Sequence, residues 1–420
     1  MRIQLAGGRV LEQGQLVSRD VFVENGRIVS FCQTERVVQL HGCVMIPCLV
    51  DVHVHLREPG FSYKETIGTG TRAAARGGYT TVCAMPNLNP PPDTPEHLAV
   101  QEELIRRDAC IRVLPYGCIT LGQRGAGELT DMAAMAARVA GFSDDGRGVQ
   151  EEALMREAMR RCAAAGSRIA AHCEDVSLIP AGGAIHAGSY ARTHGMPGIP
   201  SQSEWGPIQR DLRLAQETGC PYHVCHISCR ESVELIRQAK DAGGDVTCET
   251  GPHYLLLCQD DLQDEGRFKM NPPLRDREDQ QALLEGLLDG TIDMIATDHA
   301  PHSEAEKAKG LRGAAMGVVG LETAFPLLYA HLVETGRMSL STLVERMSDA
   351  PRRRFGLTDG GLQEGQCAEL SVWDLTRRYT VAPEQFLSQG HSTPFAGWEA
   401  QGACVMTICG DRIAYEEDEK

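Results

Sequence analysis

Strand-like and helix-like segments alternate through the middle of the chain, and this alternation constrains the fold more than any other feature. Apolar, β-rich segments lie at residues 44–55, 80–86, 111–119, 140–145, 168–174, 222–228, 246–252 and 292–299. Stretches at helical spacing separate most of them, as at residues 65–76, 95–107, 151–165, 230–242 and 278–288. This order predicts an α/β protein with a parallel (β/α)8 barrel of the TIM type. A doubly wound open sheet is the alternative, but no glycine-rich nucleotide-binding motif follows a strand.

The two ends of the chain differ from the middle, because short alternating apolar runs and tight turns replace the longer segments. The Asn25-Gly26 turn is one example near the N-terminus, and the last sixty residues have the same character. Such runs predict β-hairpins. We therefore expect a small β-sandwich domain formed by residues 1–46 and 362–420, next to a barrel domain at residues 47–361.

Composition and charge argue against several classes of function. The chain has 420 residues and a formal net charge of −16, which disfavours nucleic acid or an anionic membrane as a partner. No apolar run approaches membrane-spanning length, and the N-terminus lacks the apolar segment of a signal peptide, so we expect a cytoplasmic protein. The sixteen cysteines are then expected to be free, mostly buried thiols.

A His-x-His pair, His53 and His55, marks the exit of the first apolar segment. Side chains alternate along a strand, so both imidazoles point to one face while Val52 and Val54 point to the other. Two imidazoles placed in this way can close on one metal ion. The pattern therefore predicts a metal site; the alternative is a pair of histidines that merely satisfy a polar strand end.

Polar side chains also follow most of the other strand-like segments. In a parallel barrel the active site forms at the carboxyl ends of the strands. Six of the eight segments end on residues that can bind a metal or a polar ligand, which include Arg57, Asn87, Asp145, His172, His226 and Asp298. We therefore expect these side chains to surround one site.

Strand alternation separates each nearby cysteine from its neighbouring histidine. Cys173 follows His172, and Cys225 precedes His226. If the histidines face the barrel axis, both thiols are expected to pack beneath the helices as small apolar groups. His223 shares the parity of Cys225, so we expect a packed core histidine there rather than a ligand.

Several stretches of the chain resemble the dihydroorotase family, in its bacterial long-chain form (type I), and through it the amidohydrolase superfamily. They lie at residues 51–60 (DVHVHLREPG), 73–87 (AAARGGYTTVCAMPN), 142–146 (FSDDG), 172–175 (HCED), 269–274 (KMNPPL), 296–302 (ATDHAPH) and 393–398 (TPFAGW). Together they are far more specific than the His-x-His motif, which alone is typical of the superfamily. The resemblance implies a metal-dependent amidohydrolase barrel and covers both terminal segments.

The resemblance implies zinc as the cofactor, with one or two ions per chain and two expected. It assigns His53, His55 and Asp298 to the first ion. It assigns His172 and His226 to the second. All five side chains offer nitrogen or oxygen donors, which suit zinc.

The end of the fourth strand-like segment differs from that of many relatives. A lysine carboxylated by carbon dioxide often bridges the two ions there, but this chain has no lysine at that position. Asp145 stands there instead, as in one branch of the dihydroorotases, and the resemblance makes it a metal ligand. Its neighbour Asp144 has the opposite parity, so only one of the two can face the metals.

The reaction implied by the resemblance interconverts (S)-dihydroorotate plus water and N-carbamoyl-L-aspartate. This is the third step of de novo pyrimidine (UMP) biosynthesis. Metal-bound hydroxide is expected to attack the ring amide. Asp298 is then the catalytic residue, because it would take the proton of the water and return it to the departing ring nitrogen.

The substrate carries a carboxylate, which a planar guanidinium can hold with two hydrogen bonds. The resemblance implies that the substrate-binding residues are His55, Arg57, Asn87, Asn271, His302 and Gly317. For Arg57, the alternative is a salt bridge to Glu58 or Glu65. For Asn87, it is the N-cap of a helix.

One stretch departs from the family pattern. After the charged loop at residues 303–315 the family usually has Pro-Phe-Gly, whereas this chain has Ala315-Met316-Gly317. Because the glycine is present, a backbone contact to the substrate ring is still expected. Loss of the proline and the aromatic ring is expected to loosen the loop and to leave the metal site unaffected.

Two other functions compete with this one. Hydantoinases and allantoinases usually need the lysine that is absent here, and they lack the His-x-His-x-Arg pattern. An inactive dihydroorotase-like subunit that supports aspartate transcarbamoylase would have lost metal ligands, whereas this chain keeps every candidate. The resemblance also implies a homodimer and allows an association with aspartate transcarbamoylase.

Overall fold

The middle of the chain forms a closed barrel of eight parallel segments in the computed structural model, which describes residues 1–357 and 359–417. Seven segments are strands, Leu49–Val54, Tyr79–Ala84, Arg112–Pro115, Ile169–Ala171, Tyr222–Val224, Val246–Thr250 and Met294–Ile295. Phe142 takes the fourth position through parallel bridges to Gly117 and Ile169. The barrel closes where Val54 bridges His299, and the amide of His55 donates to the His299 carbonyl at 2.8 Å.

Helices connect the barrel strands and cover their outer side. The longer ones are Ile67–Arg76, Pro95–Asp108, Glu152–Ala164, Gln202–Thr218, Arg230–Asp241 and Arg277–Asp289. Short helices lie at Met132–Met135, Ser189–Thr193, Pro252–Leu256, Glu304–Lys307, Gly310–Gly313, Ala324–Leu328, Leu340–Val344 and Ala350–Phe355. The side chains of Thr66, Thr94 and Asp276 accept backbone N–H groups of the helices that they precede, which fixes where three of the long helices begin.

Strands from both ends of the chain share one β-structure beside the barrel. They are Arg2–Ala6, Arg9–Glu12, Gln15–Ser18, Val21–Glu24, Arg27–Val29, Arg36–Gln39, Val44–Pro47, Gly360–Gly361, Cys367–Thr380, Glu399–Cys409 and Arg412–Glu416. The long strand Cys367–Thr380 pairs with strands from both termini. A separate apolar core lies within this sandwich and includes Ile3, Val23, Leu370 and Ile408. The barrel with a β-sandwich made from both termini is therefore confirmed.

Two strand boundaries differ from the sequence-based prediction. The segment predicted at 44–55 is two strands, because Val44–Pro47 pairs with Cys367–Thr380 in the sandwich while Leu49–Val54 opens the barrel. Two consecutive buried strands show one continuous apolar run, so periodicity does not separate them. The segment predicted at 140–145 contributes only Phe142 to the barrel ladder. The domain limits at 46–47 and 361–362 stay predictions.

The barrel interior forms the floor beneath the carboxyl ends of the strands. Side chains from different strands meet there in one buried cluster that includes Val50, Cys83, Tyr116, Ala170 and Met294. The Tyr116 hydroxyl donates to the carbonyl of Val52 at 3.1 Å, which ties this floor to the first strand. Among the described residues, no helix is both long and apolar enough to cross a membrane.

Candidate active site

The first barrel strand delivers His53 and His55 to the carboxyl end of the barrel, next to Asp298 from the last strand. The two imidazole centroids are 5.4 Å apart. His55 Nε2 lies 3.0 Å from Asp298 Oδ1, and His53 Nε2 lies 3.6 Å from the same oxygen. All three side chains are buried. The structure thus brings together the three residues that the resemblance assigned to the first metal ion.

The Asp145 carboxylate lies at the centre of the cluster. Its Oδ1 is 3.4 Å from His53 Nε2, 3.5 Å from His226 Nε2 and 3.6 Å from His172 Nδ1. Its Oδ2 is 3.6 Å from His55 Nε2. One carboxylate therefore faces the histidines of both sets, as a ligand shared by two ions would.

Asp144 points away from the cluster and has a different environment. Its carboxylate accepts the amide N–H groups of Ile119, Thr120 and Gly125 and the hydroxyl of Thr120. It therefore holds the loop that follows the third barrel strand. Of the two neighbouring aspartates, only Asp145 lies among the histidines.

His172 and His226 follow two neighbouring barrel strands, with His172 Nδ1 3.0 Å from His226 Nε2. His226 has a φ of 35° and Asp298 a φ of 47°, both in the left-handed region. A positive φ takes the chain out of the extended conformation, so the side chain no longer follows strand alternation. The turn that ends each of these strands therefore also aims its ligand side chain.

The donor set fits a metal ion. Among the described residues, His53 Nε2 and Asp145 Oδ1 are buried and have no hydrogen-bond partner. Donor atoms of His53, His55 and Asp298 lie within 4.8 Å of one another, and those of His53, Asp145 and His226 do so too. Buried polar atoms without partners are costly, and a cation between them removes that cost.

The charges of the cluster also suit a cation. Burial opposes ionisation of Asp145 and Asp298, but the surrounding histidines outweigh it and hold the pKa of each carboxyl below its ordinary value. Both are therefore carboxylates at neutral pH. Burial lowers the pKa of His55, which favours the neutral imidazole that metal binding requires.

A second layer of side chains beneath the cluster was not predicted from the sequence. Glu249 is fully buried, and its carboxylate lies 2.8 Å from His53 Nδ1 and 3.0 Å from His223 Nε2. Burial opposes its ionisation, but hydrogen bonds from the two histidines bring its pKa down to about 2. The one available signal was a lone charged residue inside an apolar strand. His223 is a buried core histidine, as predicted.

Asp51 forms another buried support under the first strand. Its carboxylate accepts the Thr297 hydroxyl at 2.5 Å, the Thr297 amide at 3.1 Å and the His53 amide at 3.1 Å. Burial raises the pKa of Asp51 to about 7 in spite of these bonds. The side chain therefore ties the backbone of one ligand, His53, to the strand that ends at Asp298.

Arg57 lies beside the cluster with its charge unpaired. Its Nε donates to the Pro301 carbonyl at 3.1 Å, and Nη2 lies 3.4 Å from His302 Nε2. Among the described residues, no carboxylate lies within ion-pair distance of the guanidinium, so the alternative salt bridge to Glu58 or Glu65 is not formed. Burial lowers the pKa of Arg57 to about 10, which still leaves it charged at neutral pH.

Asn87 and His302 flank the same space. Asn87 Nδ2 donates to the Asp145 carbonyl at 2.7 Å, and its buried Oδ1 has no partner among the described residues. Thr94, not Asn87, caps the following helix. His302 Nε2 donates to the Met316 carbonyl at 2.8 Å, and burial with the nearby charge of Arg57 lowers its pKa to about 3. His302 is therefore neutral with hydrogen on Nε2, and its Nδ1 lies 3.2 Å from Lys64 Nζ.

Asn271 lies on the opposite side of the site. Its Nδ2 donates to Glu174 Oε1 at 2.8 Å and lies 3.4 Å from His172 Nε2. Glu174 Oε2 is 3.6 Å from the same ring nitrogen. This pair therefore supports the outer edge of His172, a contact that was not predicted from the sequence.

Gly317 has a φ of 134°, and a side chain there would come within 2.7 Å of the Ala300 carbonyl oxygen. Its N–H donates to the Lys269 carbonyl at 3.0 Å, and its carbonyl accepts from Lys307 Nζ at 2.6 Å. The backbone N–H of Gly317 is therefore already used within the protein. Only the second lone pair of the carbonyl stays open to a ligand.

Buried Lys307 fastens the loop that contains Met316. Besides Gly317, its ammonium donates to the carbonyls of Lys269 at 3.0 Å and Ala315 at 2.8 Å. Burial lowers its pKa to about 7. These bonds hold the loop, although the proline and the aromatic ring expected from the family pattern are absent from this chain.

The prediction for the two cysteines is correct for one and wrong for the other. Cys173 packs outside the barrel, 3.3 Å from the Tyr222 hydroxyl. Cys225 instead faces the barrel interior, within 4.8 Å of donor atoms of His53 and Glu249. Alternation fails because the positive φ of His226 reorients only that side chain. Burial raises the pKa of the Cys225 thiol to about 12, so it stays neutral.

A family model and the curated relatives agree on one family. A family model described as dihydro-orotase-like matches residues 42–232. The dihydroorotase of Geobacillus thermodenitrificans is 52% identical over 415 residues, which cover 97% of this chain and 96% of that protein. The chain belongs to the dihydroorotase family. The dihydroorotase of Bacillus caldolyticus is 51% identical over 414 residues, which again cover 97% of this chain and 96% of that protein. The chain is thus a hydrolase of cyclic amides, as predicted.

Solved structures share the fold of this dihydroorotase-family chain. The L-hydantoinase (dihydropyrimidinase) of Arthrobacter aurescens has a TM-score of 0.89 at 28% identity, over 99% of this chain and 96% of that one. The dihydropyrimidinase of Brevibacillus agri has a TM-score of 0.86 at 21% identity, over 99% and 95%. At this identity the second match shows the fold alone.

Proposed function

We propose that the chain is a zinc-dependent enzyme that interconverts (S)-dihydroorotate plus water and N-carbamoyl-L-aspartate, the third step of de novo pyrimidine biosynthesis. Full-length relatives at about half identity are dihydroorotases. The observation that supports this substrate most directly is the buried guanidinium of Arg57, which lies beside the metal-type cluster and has no carboxylate partner in the part of the chain that the structure describes. Dihydroorotate differs from neutral cyclic amides by the carboxylate that such a group would bind.

Six side chains would hold the metal. His53, His55 and Asp298 would hold one ion and His172 and His226 a second, and Asp145 would be a ligand available to both. Zinc bound there would lower the pKa of water to near neutrality and polarise the amide carbonyl.

Asp298 is placed to move the proton. Its carboxylate is ionised at neutral pH and has His55 as its hydrogen-bond partner. It would take a proton from the attacking water and deliver it to the departing ring nitrogen, as base and then acid. The reverse reaction uses the same residue in the opposite order.

Arg57, Asn87 and His302 would hold the substrate carboxylate. The Nε edge of Arg57 is fixed to Pro301, so the two Nη groups form the edge that is available for two parallel hydrogen bonds. Asn87 keeps one amide hydrogen beyond its bond to Asp145. On the other side of the ring, Asn271 would make a polar contact, and Gly317 would offer its carbonyl oxygen.

One experiment tests the proposal. Purified protein is assayed for hydrolysis of dihydroorotate and of dihydrouracil, which lacks the carboxylate, and its zinc content is measured on the same sample. We expect bound zinc and a strong preference for dihydroorotate. A preference for dihydrouracil would instead support a hydantoinase-like enzyme, and absence of metal would contradict the whole proposal.

The cellular setting is part of the proposal. All sixteen cysteines are free, which supports a reducing compartment such as the cytoplasm. The homodimer and the association with aspartate transcarbamoylase stay predictions. Light scattering of the purified protein tests the first, and co-purification tests the second.

A further inference from the structure

Glu249 occupies an unusual place for a carboxylate. It lies on the barrel strand Val246–Thr250, fully buried in the interior directly beneath His53. Among the described residues its only ion-pair partners are His53 and His223, both imidazoles. Burying a charge without an arginine or lysine is costly, and packing alone would favour an apolar side chain at this position.

The hydrogen bonds of Glu249 fix the proton positions of both histidines. An ionised carboxylate only accepts, so His53 Nδ1 at 2.8 Å and His223 Nε2 at 3.0 Å must each carry hydrogen. The other nitrogen of His223 lies 2.9 Å from the Thr247 hydroxyl and accepts from it. One chain of hydrogen bonds with fixed donor and acceptor directions therefore runs through Thr247, His223, Glu249 and His53.

This chain of hydrogen bonds ends at His53 Nε2, the nitrogen that would bind metal. In the neutral tautomer with hydrogen on Nδ1, this nitrogen has a free lone pair, and it is buried without a hydrogen-bond partner among the described residues. It faces Asp145 Oδ1 at 3.4 Å. The tautomer and the ring orientation that Glu249 enforces are thus those that coordination requires.

We propose that Glu249 is a positioning residue for metal binding, which fixes the tautomer of His53 and increases the donor strength of its Nε2, with Thr247 and His223 holding Glu249 in place. This inference rests on the proposed metal-dependent function. Partners of this kind in metal sites typically change affinity by about 10- to 100-fold.

The test compares Glu249→Gln with a matched control. Glutamine keeps the size and can still accept from His53 Nδ1, but it has no charge and turns an amide N–H toward one of the histidines. The control is Glu369→Gln, which removes an equally buried carboxylate that pairs with Arg352 at 2.7 Å and contacts no proposed metal ligand. Both substitutions are expected to lower the melting temperature of the metal-free protein.

The deciding measurement is the zinc dissociation constant, from competition with a chelator of known affinity. We expect it to rise about 10- to 100-fold in Glu249→Gln and to stay within about twofold of wild type in Glu369→Gln. A Glu249→Gln constant no larger than that of the control would overturn the inference, because the carboxylate would then serve only the fold.

A second variant covers the case in which Glu249→Gln does not fold. Thr247→Val keeps the shape of the side chain but removes the hydroxyl that orients His223. We expect a smaller rise of the zinc dissociation constant, about two- to tenfold, in the same direction. An unchanged zinc dissociation constant in Thr247→Val would contradict the proposed chain of hydrogen bonds.

The outcome also separates this inference from the proposed function. Wild-type protein that binds zinc without hydrolysing dihydroorotate would refute the function, while the ratio of dissociation constants would still decide the role of Glu249. Wild-type protein that binds no zinc would refute both.

Discussion

Arg57→Met separates substrate recognition from metal binding. Methionine keeps much of the length and the apolar stem of arginine but removes the guanidinium. The guanidinium of Arg57 donates from Nε to the Pro301 carbonyl and approaches His302 Nε2 with Nη2 at 3.4 Å, and it has no carboxylate partner among the described residues. The Nη groups are therefore available to a ligand, and their loss is expected to affect substrate binding and turnover rather than the fold.

The magnitude follows from the number of hydrogen bonds. A hydrogen bond that involves a charged group contributes roughly 1.5–3 kcal/mol. Two of them to the substrate carboxylate contribute roughly 3–6 kcal/mol, and each 1.4 kcal/mol is about a factor of ten. We expect kcat/KM for dihydroorotate to fall by about two orders of magnitude or more. Dihydrouracil should be hydrolysed slowly by both proteins, with little change.

Stability should change much less than activity. The substitution removes a buried, unpaired charge, which favours folding, and one hydrogen bond to Pro301, which opposes it. We expect the free energy of unfolding to stay within about 1 kcal/mol of wild type and the zinc content to be unchanged. Steady-state kinetics, metal analysis and denaturant unfolding measure the three quantities. Intact turnover of dihydroorotate, or loss of zinc, would refute the assignment of Arg57 as the carboxylate-binding group.

Three further predictions concern the metal and the loop. Exhaustive chelation should abolish hydrolysis and added zinc should restore it; full activity without metal would contradict the site. Asp145→Ala should lower the zinc content, mainly at the position of His172 and His226. Asp144→Ala should keep zinc but lower the melting temperature, because four hydrogen-bond donors lose their acceptor. The reverse pattern would show that Asp144, not Asp145, is the metal ligand. Lys307→Met removes three bonds to loop carbonyls, so KM for dihydroorotate should rise severalfold with zinc content unchanged, and an unaltered KM would separate the loop from substrate binding.

Much of the fold could be predicted because its signals are local. Buried strands and amphipathic helices each leave their own periodicity in the sequence, and eight alternations define a barrel. The shared direction of His53 and His55 could be predicted from alternation, although the register of this strand is irregular between Asp51 and Val54 and the strand ends before His55. The division of the first predicted strand at Cys48 could not be predicted, because it depends on pairing with a strand more than 300 residues away.

The supporting residues of the site could not be predicted for a related reason. Glu249 looks like an isolated charge in an apolar strand, and its role appears only when His53 and His223 are placed beside it. Asp51 likewise gains its function from Thr297, which is distant in sequence. A metal-binding residue can be recognised in the sequence by its type and its position at a strand end. A residue that supports it can be recognised only from its contacts in the folded structure.

Backbone conformation at the strand ends explains both the failure of alternation and the geometry of the site. Arg57, His226 and Asp298 all have positive φ, at 64°, 35° and 47°, where residues other than glycine cost roughly 1–3 kcal/mol each. Each stands where a barrel strand gives way to its loop, so one local change both ends the strand and turns a functional side chain toward the common space. The stability lost in this way must be offset elsewhere, and the large barrel core and the buried bonds of Asp51 are suited to do so. The site thus depends on a rigid floor that holds strained residues above it, which is why its geometry follows from the assembled barrel and not from the pattern of any single strand.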